Sequence, residues 1–310
     1  MSVTIPFVAR GEASAWVDAL SAALPGVRIV PFRGTTAQER SEATVALAAN
    51  PDPAELAALP NLVFVQSLWA GVERMLAELP ETLPIARLVD PQLALTMAEG
   101  VLAFTLYLHR DMPHYAAAQR DKSWRPGPMR LARDTPVGIL GLGELGRASA
   151  EALQREGFPV LGWSRSEKTI PGVESHCGDD GLKTVLGKSA IIVVLLPMTP
   201  DTRGILGREA FDAMTPGTGL INFARGPLID TPALLDALDK KQVSHAVLDV
   251  FDVEPLPEES PYWTHPDVTV LPHISAPTHK GTASAIAAAN IRAFLDSGTL
   301  PPVVDRRRGY

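Results

Sequence analysis

The chain has 310 residues, of which 46% are hydrophobic and 20% charged, a composition typical of globular proteins rather than disordered ones. Its net charge of −7 argues against nucleic acid and acidic membrane surfaces as partners. The single cysteine, Cys177, excludes an intrachain disulfide and favours a reducing compartment. The N-terminal sequence MSVTIPFVARGE has neither a basic segment nor a long apolar run, so we expect no signal peptide and a cytoplasmic location.

The first ninety residues alternate between short apolar runs and helical patterns, as in a small α/β domain. Strands are predicted at residues 3–9, 27–32, 43–50, 62–68 and 83–89, and helices at 14–24, 53–59 and 72–79. Because this part carries no glycine-rich fingerprint, we interpret it as a domain that covers a substrate rather than as a nucleotide site.

Residues 95–124 have the pattern of one unusually long helix, and from residue 135 strands and helices alternate again. Six apolar strands are predicted, at residues 135–143, 158–164, 190–197, 217–225, 243–251 and 268–273. Helices are predicted at 144–157, 181–189, 208–214 and 231–242, and a second long helix at 280–298. Such a series is typical of a doubly wound parallel sheet, which is buried on both faces.

The two long helices would carry the chain out of one domain and back into it. We therefore expect an α/β protein with two Rossmann-like domains. Residues 1–95 and 280–310 would form a smaller, discontinuous, flavodoxin-like substrate domain. Residues 96–279 would form the nucleotide domain, with the doubly wound sheet.

A glycine-rich loop follows the first strand of the predicted nucleotide domain and opens a helix. Gly141 permits a tight turn, Gly143 lets the backbone approach a pyrophosphate, and Gly146 lets helix and strand pack closely. The phosphates would then lie at the positive end of the helix. The predicted cofactor loop consists of Gly141, Leu142, Gly143, Glu144, Leu145 and Gly146.

The next strand ends in GWSRSEK, at the position where sites that prefer NAD usually place an acid for the ribose hydroxyls. Here Ser164 and Arg165 occupy that position, and Lys168 follows in the same loop. A guanidinium suits a 2′-phosphate, whereas an acid would repel it. We therefore predict NADP as the cofactor, with NADPH preferred over NADH.

Candidate chemical groups follow three further strands, at the edge where open α/β sheets bind ligands. They are Arg225 in NFARG, Asp249 and Glu254 in LDVFDVEP, and His273 in LPHISAP. A cation, an acid and a base together suit redox chemistry on a carboxylated carbonyl. The other six histidines are interpreted as structural: 109, 114, 176, 245, 265 and 279. No metal is predicted, since no His, Cys and carboxylate cluster has ligand spacing.

Nearly the whole chain resembles the D-isomer-specific 2-hydroxyacid dehydrogenases. The resemblance lies in the glycine loop, in NFARGPLIDTPALLDAL, in AVLDVFDVEPLPEESPYWTHPDVTVLPH and in the split-domain layout. Within that family, LGWSRSEKTIPGVES and the ending VDRRRGY are most similar to the glyoxylate/hydroxypyruvate reductase A branch.

The resemblance implies a role for each candidate residue. Arg225 would bind the substrate carboxylate and carbonyl, His273 would transfer the proton, and Glu254 would pair with His273. Asp249 would hold the nicotinamide carboxamide. A guanidinium can bind a carboxylate through two hydrogen bonds, and an imidazole titrates near neutral pH. Both properties fit these roles.

Further contacts follow from the same resemblance. The backbone amides of Ala70 and Gly71 would bind the substrate carboxylate. Trp69 occupies a position where the family often has glycine, and either a bulkier pocket or plain packing would explain it. The cofactor would also contact Pro197, Thr202 and Ala224.

The implied function is NADPH-dependent reduction of small 2-keto acids, such as glyoxylate and hydroxypyruvate, with His273 as proton donor. Two alternatives stay open at this point. One is a reductase of bulkier aryl or branched 2-keto acids, and the other is a nucleotide-sensing, corepressor-like module without catalysis. The long helix and the segment RDKSWRPG imply a C2 homodimer, with Trp124 at or near the partner's substrate site.

Overall fold

A computed structural model of the chain describes residues 3–11, 14–307 and 309. The backbone divides into two compact units, Met1–Gln92 with Thr278–Tyr310, and Leu93–Pro277. The sequence predicts domain boundaries after residues 95 and 279, and the two units divide after residues 92 and 277. We refer to these as the first and second units. Which of them binds substrate and which binds cofactor stays a prediction.

The first unit is built on a parallel sheet of five strands in the order β2-β1-β3-β4-β5. The strands are β1 Thr4–Ala9, β2 Arg28–Pro31, β3 Val45–Ala49, β4 Phe64–Ser67 and β5 Ile85–Ala86. The helices are α1 Ser14–Ala23, α2 Ala37–Glu42, α3 Pro53–Ala57, α4 Glu73–Glu78 and, from the C-terminal part, α11 Lys280–Ser297. The strand order is the flavodoxin-like one, so this part of the fold prediction is confirmed.

Apolar side chains cover both faces of this sheet. One face packs against α1 and α11, through Leu20, Ala287 and Ile291. The opposite face packs against α3 and α4, through Leu56 and Met75. A parallel sheet covered on both faces gives strands that are apolar throughout, which is why all five were predicted.

Helix α2 was missed, although its start has a sequence signature. The Thr36 side chain accepts a hydrogen bond from the Glu39 backbone N–H, and the Glu39 carboxylate accepts one from Thr36 N at 2.7 Å. This is the reciprocal capping box that a Thr three residues before a Glu predicts.

The C-terminal tail belongs to the first unit. Val304 N donates to Ile85 O at 2.8 Å, and its side chain joins the core beside α4. The Arg306 guanidinium donates to the carbonyl oxygens of Leu76 (3.1 Å), Pro80 (2.8 Å) and Leu83 (3.1 Å). Arg306 thus satisfies carbonyl oxygens at the end of α4 and in the segment that follows it.

The second unit contains a parallel sheet of seven strands in the order β12-β11-β10-β9-β6-β7-β8. The strands are β6 Val137–Leu140, β7 Val160–Trp163, β8 Val173–His176, β9 Ile191–Val194, β10 Thr218–Asn222, β11 Val243–Leu248 and β12 Val268–Val270. The helices are α5 Pro91–His109, which begins in the first unit, α6 Met112–Arg120, α7 Glu144–Arg155, α8 Gly178–Lys188, α9 Arg208–Asp212 and α10 Thr231–Asp239. The doubly wound fold is confirmed, and its order reverses between β6 and β9.

Two details of the sequence prediction were wrong. The described sheet has a seventh strand, β8, which was missed because its sequence VESH lies at the sheet edge and is only partly buried. The long helix predicted over 95–124 is two helices, α5 and α6. They are separated at Asp111, whose φ of 53° is left-handed and cannot continue a helix.

Helix α5 is unusually apolar. Among the described residues it is the one helix that could cross a membrane by length and composition. Core helices of soluble proteins have the same length and composition, and part of this helix is buried. The remainder includes exposed apolar side chains such as Leu95 (58% exposed).

His245, on β11, is buried inside the second unit with 7% of its surface exposed. Its Nε2 lies 2.8 Å from Thr269 Oγ1 on the neighbouring β12. Burial lowers the pKa of His245 from 6.5 to about 4, an effect only partly opposed by the charge of Asp267. Between these two pH values the unfolded chain therefore binds a proton that the folded chain excludes.

The stability of the second unit should therefore depend on pH through His245. The pKa difference does not affect the free energy of unfolding above about pH 6.5. As the pH falls towards 4, it lowers the free energy of unfolding by about 3 kcal/mol. In His245→Gln, the free energy of unfolding should fall less between pH 7 and pH 4 than in the wild type, by about that amount. Denaturant unfolding at both pH values measures this, with His114→Gln as the matched control. Equal pH dependence in wild type and His245→Gln would contradict it.

Candidate active site

The glycine loop lies between β6 and α7, at the point where the strand order reverses. Gly141 has a φ of 109°, and a Cβ there would approach Leu195 O to 2.6 Å. At Gly146 a Cβ would lie 1.8 Å from Gly141 O, so only glycine permits this packing. At Gly143 a Cβ would meet nothing within 4 Å, and no side chain caps α7 at that residue. Open space beside uncapped helix N–H groups fits a bound pyrophosphate.

The other residues of the loop have unequal access to a ligand. The Leu142 side chain is 3% exposed and packs against Gly162 of β7, so only its backbone could face a cofactor. Leu145 is also packed on the core. Glu144 is exposed in the first turn of α7.

Beyond β7 the chain turns through Ser164, whose backbone N–H donates to His176 O at the end of β8. The Ser164 hydroxyl donates to Ser166 O at 2.7 Å and the residue is 9% exposed. The Ser164 hydroxyl hydrogen is therefore donated within the loop, and towards a ligand this hydroxyl could only accept a hydrogen bond. Arg165 and Lys168 are both exposed in the same loop.

Pro197 and Thr202 shape the loop after β9. The Thr202 hydroxyl donates to Pro197 O at 2.8 Å and accepts from Thr199 N at 2.8 Å. These bonds hold the loop in a fixed turn. They are the observed role of Thr202, and cofactor contact by either residue stays a prediction.

Arg225 follows β10 and is held by its neighbours. Asn222 Nδ2 donates to Arg225 O at 2.9 Å, and Asn222 Oδ1 accepts from Ala224 N at 3.1 Å. The guanidinium Nη1 donates to Ala224 O at 2.6 Å. Gly226 permits a close approach, because a Cβ there would lie 2.1 Å from the carbonyl carbon of Phe251. The loop that carries Arg225 therefore packs directly on the loop that leads to Glu254.

Glu254 and His273 form the hydrogen-bonded pair that the family resemblance implies. His273 Nδ1 lies 2.7 Å from Glu254 Oε2, and the other carboxylate oxygen accepts from Phe251 N at 2.9 Å. An ionised carboxylate only accepts hydrogen bonds, so Nδ1 carries the proton of this contact. Because Nδ1 is engaged by Glu254, Nε2 is the nitrogen that could contact a substrate. The His273 side chain is 52% exposed.

Asp249 directly follows β11 and is completely buried, with 0% of its surface exposed. Its Oδ1 accepts from Ile274 N at 2.7 Å and its Oδ2 from Ser275 N at 2.8 Å. His273, the residue before this pair, has a left-handed φ of 55°. Asp249 therefore anchors the turn that presents His273. The nicotinamide contact implied by the family resemblance stays a prediction.

The predicted substrate loop lies in the first unit, after β4. Trp69 O accepts from Leu88 N at 3.0 Å, and Trp69 N donates to the hydroxyl of buried Ser67 at 3.0 Å. The Trp69 ring packs edge-on against Trp16, with centroids 5.6 Å apart, and contributes to the core. Packing is thus one observed role of Trp69. Ala70 and Gly71 follow it directly, each partly exposed.

Comparison with known proteins shows the family. Residues 102–275 match the NAD-binding domain of the D-isomer specific 2-hydroxyacid dehydrogenases. Glyoxylate/hydroxypyruvate reductase A from Salmonella heidelberg is 38% identical over 96% of this chain and 97% of its own. The chain belongs to the D-isomer specific 2-hydroxyacid dehydrogenase family. It is therefore an oxidoreductase.

Solved structures of the family are similar over almost the full chain. A D-isomer specific 2-hydroxyacid dehydrogenase from Xanthobacter autotrophicus Py2, in complex with NADPH and MES, is 38% identical. It has a TM-score of 0.94 with all of both chains covered. The NADPH-dependent glyoxylate/hydroxypyruvate reductase from Sinorhizobium meliloti, with NADP and sulfate, is 33% identical, with a TM-score of 0.89 over 99% of both chains.

Two supporting residues were missed in the sequence. Asn222 and Gly226 flank Arg225 in NFARG, and each decides how its loop is held. A glycine before proline reads as an ordinary turn, so nothing local indicated the close packing at Gly226. In the described part of the chain no group of three or more His, Cys, Asp or Glu is placed to hold a metal ion.

Asp249→Asn should loosen the turn at His273. An asparagine has one carbonyl oxygen in place of two carboxylate oxygens, so it leaves one of the two backbone N–H groups without an acceptor. An unsatisfied buried donor costs about 1–3 kcal/mol in free energy of unfolding. Hydrogen exchange at the amides of Ile274 and Ser275 measures the effect directly, and at least one should exchange faster. The control is Asp252→Asn, an exposed aspartate three residues along. Unchanged exchange at both amides would contradict the anchoring role.

Proposed function

We propose that this chain is a cytoplasmic, NADPH-dependent reductase of small 2-keto acids, with glyoxylate and hydroxypyruvate as substrates. Where the product is chiral, it is the D-2-hydroxy acid. The observation that carries the proposal is the 2.7 Å contact of His273 with Glu254, in a unit that matches the family's NAD-binding domain. Further support comes from the relative named glyoxylate/hydroxypyruvate reductase A.

The residues present fit a dinucleotide. The open space at Gly143 and the uncapped start of α7 suit the pyrophosphate. The 2′-phosphate suits the exposed side chains of Arg165 and Lys168. Ser164 occupies the position where an acid would repel this phosphate. NADPH, when bound, supplies the hydride for the reduction. Support for NADPH comes from the two related structures that contain NADPH or NADP.

The protein's own groups bind and protonate the substrate. Arg225 binds the keto acid carboxylate through its fork of N–H donors, which fixes the face of the carbonyl that is reduced. The backbone amides of Ala70 and Gly71 bind the same carboxylate, and Trp69 borders them. Protonated His273 donates its Nε2 proton to the carbonyl oxygen as C2 is reduced. Glu254 stays ionised and stabilises the imidazolium through Nδ1.

A panel of keto acids tests both the function and the catalytic triad. The wild type should oxidise NADPH fastest with glyoxylate and hydroxypyruvate. His273→Asn should lower turnover on the order of 10²–10⁴-fold with little change in cofactor affinity, because it removes the general acid. Arg225→Met should chiefly raise the KM for the keto acid.

Other outcomes of the panel decide between the alternatives. A preference for aryl or branched keto acids would assign a bulkier substrate class within the family. Binding of NADPH without turnover of any keto acid would support a nucleotide-sensing module instead. Near-full activity of His273→Asn would remove His273 as the proton donor.

Cofactor choice should depend on the loop after β7. A hydrogen bond to a charged group contributes about 1.5–3 kcal/mol, so Arg165→Ala should weaken NADPH binding roughly 10–150-fold. NADH has no 2′-phosphate, so its affinity should hardly change. Arg165→Ala combined with Ser164→Asp should shift the preference towards NADH. Titration of both cofactors measures this, and equal use of NADPH and NADH by the wild type would contradict it.

The proposal includes a C2 homodimer formed by the second unit. Exposed apolar side chains support it, with Leu95 on α5 58% exposed, Trp124 98% and Met129 78%. A dimer interface that covered them would remove this apolar surface from water, which favours association. Trp124 would lie at or near the partner's substrate site. We expect a dimer in sedimentation at micromolar concentration and a weaker dimer for Trp124→Ser with Met129→Ser; a wild-type monomer would contradict this.

A further inference from the structure

Arg87 directly follows β5 and runs beside the substrate loop. Gln66 of β4 is paired with Ala86 of β5, so the next residue, Arg87, lies opposite Ser67. One residue later, Leu88 N donates to Trp69 O at 3.0 Å. The chain at Arg87 is therefore fixed alongside the loop that continues into Ala70 and Gly71.

Strand alternation places Arg87 on one face of the sheet. Val65 and Ile85 contribute to the core cluster that also contains Val72 and Met75, so they lie on the face covered by α4. Arg87 is two residues after Ile85 and so belongs to the same face. The substrate loop enters α4 on that side. Arg87 and the loop thus share the carboxyl edge of the first unit's sheet, on the α4 side.

Arg87 is partly buried and makes no hydrogen bond or ion pair with any described residue. Every other arginine in the described ranges is exposed or has a polar partner. Arg40, Arg292 and Arg306, which are also partly buried, donate to backbone carbonyl oxygens. A guanidinium has five N–H donors, and those of Arg87 have no acceptor among the described residues. The partner of Arg87 is therefore to be sought in a ligand.

We infer that Arg87 binds the polar substituent on C3 of the keto acid and so selects hydroxypyruvate over pyruvate. The inference rests on the proposed function, in which Ala70 and Gly71 bind the substrate carboxylate. C3 is two bonds from that carboxylate carbon, so a hydroxyl on C3 lies within the span of a guanidinium on the adjacent strand. Arg87 acts here as a specificity residue, and His273 is still the proton donor.

Steady-state kinetics with three keto acids and NADPH test the assignment. In Arg87→Met, kcat/KM for hydroxypyruvate should fall on the order of 10–100-fold, the value of one hydrogen bond to a charged group. Pyruvate has a methyl group at C3 and glyoxylate has no C3, so both should change by less than about 3-fold, well under one such bond. The wild-type preference for hydroxypyruvate over pyruvate should largely disappear. Arg87→Lys should restore part of it.

Controls separate the possible failures. Arg33→Met changes an exposed arginine of the same unit, 89% exposed and paired with Glu55, and should leave all three substrates unaffected. An equal fall for glyoxylate and hydroxypyruvate in Arg87→Met, or no fall for either, would overturn the inference while the proposed function stands. Wild-type enzyme without activity on any of the three would overturn the proposed function and this inference together. If Arg87→Met fails to fold, the same comparison is made with Arg87→Gln.

Discussion

The buried carboxylate of Asp249 holds the chain at the point where the last strands of the second unit end. It accepts hydrogen bonds from two consecutive backbone N–H groups, at 2.7 and 2.8 Å. With those amides satisfied, the residue before them can keep a left-handed φ of 55°, a conformation uncommon for a histidine. That residue is His273, and its turn directs Nδ1 to Glu254. The contact between His273 and Glu254 thus depends on a third side chain, the carboxylate of Asp249.

Two glycines, Gly100 and Gly226, allow the backbone segments around this turn and around Arg225 to pack in direct contact. Gly100 of α5 packs on Ser275 O, where a Cβ would lie at 2.7 Å, so α5 also contacts this turn directly. Gly226 does the equivalent for the loops of Arg225 and Glu254. The Asp249 carboxylate and close backbone packing therefore position His273 and Glu254, and Asn222 holds the neighbouring loop of Arg225. Rigid backbone support of this kind is what a proton donor needs in order to meet its substrate in one geometry.

The sequence predicted those features that have a local cause. Buried parallel strands are apolar throughout, so five strands of one unit and six of the other were recognised; β8 was not, because VESH is a half-exposed edge strand. The break at Asp111 was missed although Pro113 signals it, because a proline inside a helical pattern usually ends or kinks the helix just before it. The role of Asp249 could not be predicted, because its partners are 25 and 26 residues away along the chain. For Trp69, only the observed contact with Trp16 showed that the ring takes part in packing.

Charge distribution gives the proposed site its selectivity. The chain carries a net charge of −7, whereas a keto acid and NADPH are both anions. At an ionic strength of 0.15 M, charges more than about 8 Å apart are largely screened, so we expect the overall repulsion to be weak and nearby cations to decide binding. Those cations are Arg225 after β10 and the exposed pair Arg165 and Lys168 after β7, all in the second unit. Each lies at or just beyond the carboxyl end of a parallel strand, so the sheet topology brings cations to the edge where anionic ligands bind.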